Sequence, residues 1–184
     1  MYGSKRHMLL DIFSNYEMPF YKFGDVMFLE KISESNWVEY ITLRFANTGK
    51  QIARETAAQL ARRVECHPYY VQQLAQLAWL RTSGVCSKET VDDAFNSLVE
   101  QLSLLFSNIV DSLTARQINF LLAIVNGEKN FSSREVLQKY NLGTSANIKN
   151  LRKALQDKDL IDVMPNSTEM QDPVFAYWIK RTFG

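Results

Sequence analysis

Four polar side chains of one predicted helix could contact the phosphates or bases of a nucleic acid: Asn147, Lys149, Arg152 and Lys153. This helix starts at Ser145, and its apolar residues recur at intervals of three and four, so these side chains should face outward. In a DNA-binding regulator such a helix would enter the major groove. Asp157 and Asp159 follow closely and offset part of the positive charge.

Motifs for catalysis or metal binding are absent from the sequence. The phosphate-binding pattern GxxxxGK[ST] fails because Gln51 follows Gly49-Lys50 and Arg44 stands where the first glycine should be. There is no HExxH, no GxSxG and no cluster of cysteine and histidine. His7 and His67 lie far apart in the chain. We therefore predict no catalytic residue and no metal ligand.

The outward-facing helix is the third of a predicted winged helix-turn-helix. A capping box of Thr114 and Gln117 opens the first helix, and a second box, Ser132 with Glu135, opens the short second helix. The first helix should bury one apolar stripe: Ile118, Leu121, Leu122 and Val125. Three closely spaced helices of this kind are typical of the fold.

A hairpin wing and a final helix complete the predicted domain. Residues 160–163 should form one strand, residues 165–167 the turn and residues 168–171 the returning strand. Asp172-Pro173 then provides a cap and a first-turn proline for the final helix. The wing contains no lysine or arginine, although wings that contact DNA phosphates usually need one.

An all-helical bundle is predicted before the winged helix. Gly49 ends its first helix, Pro68 fits the first turn of its third, and Ser87 caps a long fourth helix that should bridge the two parts. The four helices should bury these residues in turn: Trp37, Val38, Ile41 and Phe45; Ala57, Leu60, Ala61 and Val64; Val71, Leu74, Ala75 and Ala78; Val91, Ala94, Phe95, Leu98, Leu102, Leu105, Phe106 and Ile109.

The N-terminal region has weaker signals. Residues 5–15 are amphipathic, and residues 26–32 could form a short edge strand. Gly3-Ser4 before a helix is typical of a chain leaving a strand, so we expect a further segment upstream. The predicted fold is mainly α, divided into residues 1–33, a helical bundle at 34–112 and a winged-helix domain at 113–184.

Composition indicates an ordinary globular protein. Hydrophobic residues make up 46% of the 184, and 21 basic against 20 acidic residues leave a net charge of +1. This balance gives no general attraction to nucleic acid or to an anionic membrane. Cys66 and Cys86 form no disulfide framework, and no apolar run is long enough to span a bilayer. A cytoplasmic protein with no membrane partner is expected.

The order of four short motifs resembles the C-terminal half of bacterial and archaeal STAND-type AAA+ ATPases. These motifs are Gly3-Ser4-Lys5-Arg6-His7-Met8, Pro19-Phe20-Tyr21, His67-Pro68-Tyr69-Tyr70 and Asp172-Pro173-Val174-Phe175. The resemblance covers essentially the whole chain, and it makes the helical bundle the lid of a nucleotide-binding domain. The phosphate-binding loop and magnesium-binding acids of that family would lie upstream of this sequence.

The resemblance implies which residues face a nucleotide. Ser4, Lys5 or Arg6 would face phosphate just past the sensor strand, while Pro68 and Tyr69 would face the adenine base. ATP or ADP with magnesium would be the cofactor of the parent protein. Because phosphate contacts dominate nucleotide affinity, this chain alone should bind neither tightly.

Two functions are considered, the first implied by this resemblance and the second by the predicted winged helix. The first is a lid and winged-helix module of a P-loop ATPase, which senses nucleotide, switches conformation and is catalytically silent without its core. Its partners would be the upstream P-loop domain and other copies in an oligomer. The alternative is a winged-helix transcriptional regulator that binds DNA.

Overall fold

A computed structural model of the chain describes residues 16, 17, 19, 21, 32–164 and 167–184. Residues 32–184 form one compact unit, and Met1–Lys31 form another. The predicted helix at residues 5–15 and the predicted strand, apart from Ile32, lie outside the described residues. No helix in the described part is long and apolar enough to cross a lipid bilayer.

Residues 32–111 form the predicted helical bundle. Within the described chain its elements are α1 (Glu34–Ala46), β1 (Gln51–Ile52), α2 (Arg54–Arg63), α3 (Pro68–Arg81), β2 (Val85–Cys86) and α4 (Lys88–Asp111). Ser33 and Ser87 cap α1 and α4 by accepting backbone N–H bonds. The predicted inner faces of α1 and α2 are confirmed, because every residue named for them is buried.

A parallel pairing of β1 with β2 was not predicted. Gln51 pairs with Val85 and Ile52 with Cys86, which joins the connection after α1 to the connection after α3. Each strand has two residues, too few for an alternating pattern to be recognised. Lys50 strengthens this junction, because its Nζ donates to Trp79 O at 2.6 Å and lies 3.8 Å from the Trp79 ring centroid.

The predicted winged helix is confirmed. Its elements are α5 (Ala115–Val125), α6 (Arg134–Lys139), α7 (Ser145–Asp157), β3 (Ile161–Val163) and β4 (Thr168–Met170), followed by α8 (Pro173–Phe183). The strands pair antiparallel with Ile161 opposite Met170. Thr114 and Gln117 form both hydrogen bonds of the predicted capping box. The fold class is therefore mainly helical, with a helical bundle followed by a winged helix and a small hairpin wing.

Two local predictions were wrong, and a third was incomplete. Ser133, not Ser132, caps α6, because the turn that buries Phe131 delays the helix by one residue. On α4, Leu105 is 54% exposed, since α8 packs on the side that buries Phe106. On α5 the predicted stripe does pack in the core, with Leu121 buried and Ile118, Leu122 and Val125 partly buried, but it was incomplete. Because α7, α8 and β4 all pack against this helix, three further residues are buried: Phe120, Ala123 and Ile124.

Helix α8 packs against both halves of the unit, on α4 and on α5. Its contact with α4 is aromatic: Phe106 lies 5.1 Å from Phe175 and 5.8 Å from Trp178, measured between ring centroids. Nearer the start of α4, Phe95 meets Tyr177 edge-on at 4.9 Å. Aromatic pairs at these separations add to the stability gained from burial. The C-terminal helix thus joins the bundle to the winged helix.

We expect Phe106→Ala to lower the free energy of unfolding by about 3–5 kcal/mol, because it leaves a cavity where α4 meets α8. Leu104→Ala on the same helix is the matched control. Leu104 is 73% exposed, so its truncation should change stability by less than about 0.5 kcal/mol. Urea unfolding followed by circular dichroism measures both. Equal losses in the two variants would contradict this packing.

Candidate functional site

The start of α3 is held in place by an abrupt reversal of the chain. Glu65 and Cys66 have positive φ angles of 52° and 55°, and the Cys66 N–H bonds back to Ala61 O at 2.8 Å. Trp37 Nε1 donates to Cys66 O at 3.3 Å, which ties the reversal to α1. Pro68 then occupies the first turn of α3, where its missing N–H costs nothing.

The side chains predicted to face the base are on the surface. Pro68 is exposed, and Tyr69 is 56% exposed at the first turn of α3. Beside them, His67 Nδ1 is buried, and no atom of the described chain forms a hydrogen bond with it. Ser4, Lys5 and Arg6 lie outside the described residues, so their predicted phosphate contacts stay a prediction.

The adjacent residue, Tyr70, points inward and reaches the last helix. Its hydroxyl donates to Asp172 Oδ2 at 2.5 Å. Asp172 Oδ1 accepts the N–H groups of Val174 and Phe175, both at 2.9 Å, so the same carboxylate caps α8. Burial and the bond to Asp172 raise the pKa of Tyr70 well above its usual value. One carboxylate therefore joins the start of α3 to the start of α8.

Both ends of this contact are marked in the sequence, but the contact itself is not. Asp172 was predicted as a helix cap, and Tyr70 belongs to the motif around Pro68. The two residues are 102 positions apart, and neither periodicity nor capping rules indicate a pairing at that distance. The only local signal was a tyrosine at an otherwise buried helix position, since a buried hydroxyl needs a partner.

The outward side of α7 differs from the prediction at two of its four polar residues. Lys149 and Lys153 are exposed as expected. Arg152 is only partly exposed, because its guanidinium lies over Phe131, with Cζ 5.3 Å from the ring centroid. Asn147 is also partly buried, and its amide lies so close to Gly143 that a Cβ there would come within 2.7 Å of Nδ2. DNA binding by this helix stays a prediction.

Comparisons with known proteins agree with this fold. Residues 104–181 match a family described as a probable winged helix domain. The structure is similar to that of the Walker-type ATPase PABY2304 of Pyrococcus abyssi, with a TM-score of 0.68 and 16% sequence identity. The match covers 97% of this chain and 51% of the archaeal one, so this chain spans about half its length. A search of curated proteins found no match.

We expect Tyr70→Phe to lower the free energy of unfolding at neutral pH by about 1.5–3 kcal/mol, since it removes a hydrogen bond to a carboxylate. The raised pKa also predicts a pH dependence. Above pH about 10 the unfolded chain releases the Tyr70 proton while the folded chain keeps it, so wild-type stability falls as pH rises.

Tyr69→Phe is the matched control for both effects. Tyr69 is exposed, so this variant should keep wild-type stability at neutral pH and the wild-type decline at alkaline pH. Tyr70→Phe should show a shallower alkaline decline. Urea unfolding measured across this pH range tests both expectations, and identical pH profiles for Tyr70→Phe and wild type would refute the coupling.

Proposed function

We propose that this chain is the lid and winged-helix part of a P-loop ATPase, in which it senses the bound nucleotide and transmits that state. The nucleotide would be ATP or ADP with magnesium, held mainly by a separate nucleotide-binding core in the cytoplasm. Other copies of the same ATPase are proposed as further partners. The chain would carry no catalytic residue of its own.

The contact between Tyr70 and Asp172 is the observation that carries this proposal. Tyr69 is 56% exposed and its ring meets the Tyr70 ring edge-on at 5.1 Å, while the Tyr70 hydroxyl is bonded to the cap of α8. A force on the first turn of α3 would therefore reach α8 directly. Because α8 also packs on α4 and α5, the bundle and the winged helix would move together.

The surface at the start of α3 fits a nucleotide base. Pro68 and Tyr69 provide an exposed apolar and aromatic face, on which a purine could stack. The fold similarity to a Walker-type ATPase is independent support, since it extends over nearly all of this chain.

The isolated chain should neither hydrolyse ATP nor bind it with micromolar affinity, because the principal phosphate contacts belong to the core. Calorimetric titration with ATP and magnesium, together with a phosphate-release assay, measures both properties. Turnover, or micromolar binding, would contradict the proposal.

The reading frame upstream of Met1 offers an independent check, since we expect it to encode GxxxxGK[ST] followed by an apolar strand ending in acids.

Tyr69→Ala in the ATPase that contains this chain should raise the dissociation constant for ATP about tenfold, through loss of stacking on the base. Leu80→Ala, at an exposed position near the other end of α3, is the matched control and should leave the constant unchanged. Fluorescent-nucleotide binding measures both. An unchanged constant in Tyr69→Ala would remove Tyr69 from the nucleotide site.

A further inference from the structure

An open groove of about 450 Å³ runs beside α7 toward the wing. Lys149, Arg152 and Lys153 line it together with Val163 of β3 and Ser132, which precedes α6. Its wall thus combines three cations from one helix with apolar and hydroxyl groups from neighbouring elements. This combination suits an extended or helical segment that has both acidic and apolar side chains.

The three cations are not neutralised within the described part of the chain. By contrast, Arg62, Arg63, Lys88 and Lys139 each have a carboxylate oxygen within 3.7 Å. Lys149, Arg152 and Lys153 have no such partner among the described residues. Their spacing of three and four residues keeps them on one side of α7, so their positive potentials add.

Arg152 packs against a buried aromatic ring at the edge of the groove. Its guanidinium rests on the ring of Phe131, which is 3% exposed, and its Nε is buried without a hydrogen-bond partner in the described chain. A planar guanidinium fixed in this way loses little conformational freedom when it pairs with a carboxylate. Its fixed position makes Arg152 the natural anchor of the groove.

The surroundings of the groove are unfavourable for duplex DNA. No lysine or arginine occurs between Leu160 and Gln171, whereas Asp162 and Glu169 face each other across the two strands of the wing. A duplex seated on α7 would bring its phosphates against this wing. Asp157 at the end of α7 adds a further negative charge. Because side chains alternate along a strand, Asp162 lies on the opposite face of β3 from Val163, so a single acidic chain against Val163 is on the other side of the strand from this carboxylate.

We propose that the groove formed by α7 and the wing binds an acidic segment of a partner protein. Carboxylates of that segment pair with Arg152, Lys149 and Lys153, and its apolar side chains lie against Val163 and the aliphatic stems of the two lysines. This interaction uses a different surface from the start of α3, and it does not depend on the proposed role in an ATPase.

The test is a fluorescence anisotropy titration of the full chain with a short labelled peptide of glutamate and leucine at low salt. The same peptide with glutamine in place of glutamate, and a labelled random DNA duplex, are the alternative probes. The glutamate peptide should bind most tightly, and its affinity should fall as salt is added. Lys149→Glu with Lys153→Glu should weaken that binding by about tenfold or more.

Lys180→Glu with Arg181→Glu is the matched control, because it makes the same change of charge at two exposed positions of α8. This variant should bind the peptide as the wild type does. Circular dichroism of both variants establishes that they are folded. Equal weakening in the two variants, or no preference for glutamate over glutamine, would overturn the proposal. Tighter binding of the duplex, lost in the α7 variant, would instead assign the groove to DNA.

Discussion

The carboxylate of Asp172 is the constraint on which the arrangement of residues 32–184 depends. One oxygen satisfies two backbone N–H groups at the start of α8, and the other accepts the hydroxyl proton of Tyr70 from α3. Helix capping alone would fix only the local direction of the chain. Because the cap is shared, the position of the last helix is set by the helical bundle. The bundle and the winged helix are thereby joined at a defined point.

Packing along α8 extends this single contact into an interface. Phe175 and Trp178 lie against Phe106. Tyr177 lies against Phe95, which is nearer the start of α4. Arg63 of α2 also reaches this interface, with Cζ 4.6 Å above the Phe95 ring, and its guanidinium lies 3.7 Å from Asp92. Interlocked aromatic groups have few alternative arrangements, so these contacts fix α8 against α4.

The fold was largely predictable because its signals are local. Capping residues such as Thr114 and Asp172 and apolar spacing gave the helices and the wing, and the structure confirms them. The errors occurred where packing between helices, and not the spacing of apolar residues, decides which of two neighbouring side chains is buried. Leu105 fits the helical pattern of α4 as well as Phe106 does, yet only Phe106 meets α8.

The candidate site was less predictable than the fold, because its central contact is not local. The place of Pro68 in the first turn of a helix was predicted, and the structure shows both Pro68 and Tyr69 exposed there. The bond from Tyr70 to Asp172 depends on how two distant helices pack, which spacing does not encode. Likewise, the cations of α7 were evident in the sequence, but the contact of Arg152 with Phe131 required the turn before α6 to be known.

Hydrogen exchange measured at increasing urea tests most directly whether α8 makes the bundle and the winged helix one cooperative body. Buried amides of α3 and of α5 lie in different halves and should share one opening free energy with the same dependence on urea. Their protection would then be lost together with that of α8. Exchange of the α5 amides through an opening that leaves α3 protected would contradict this account.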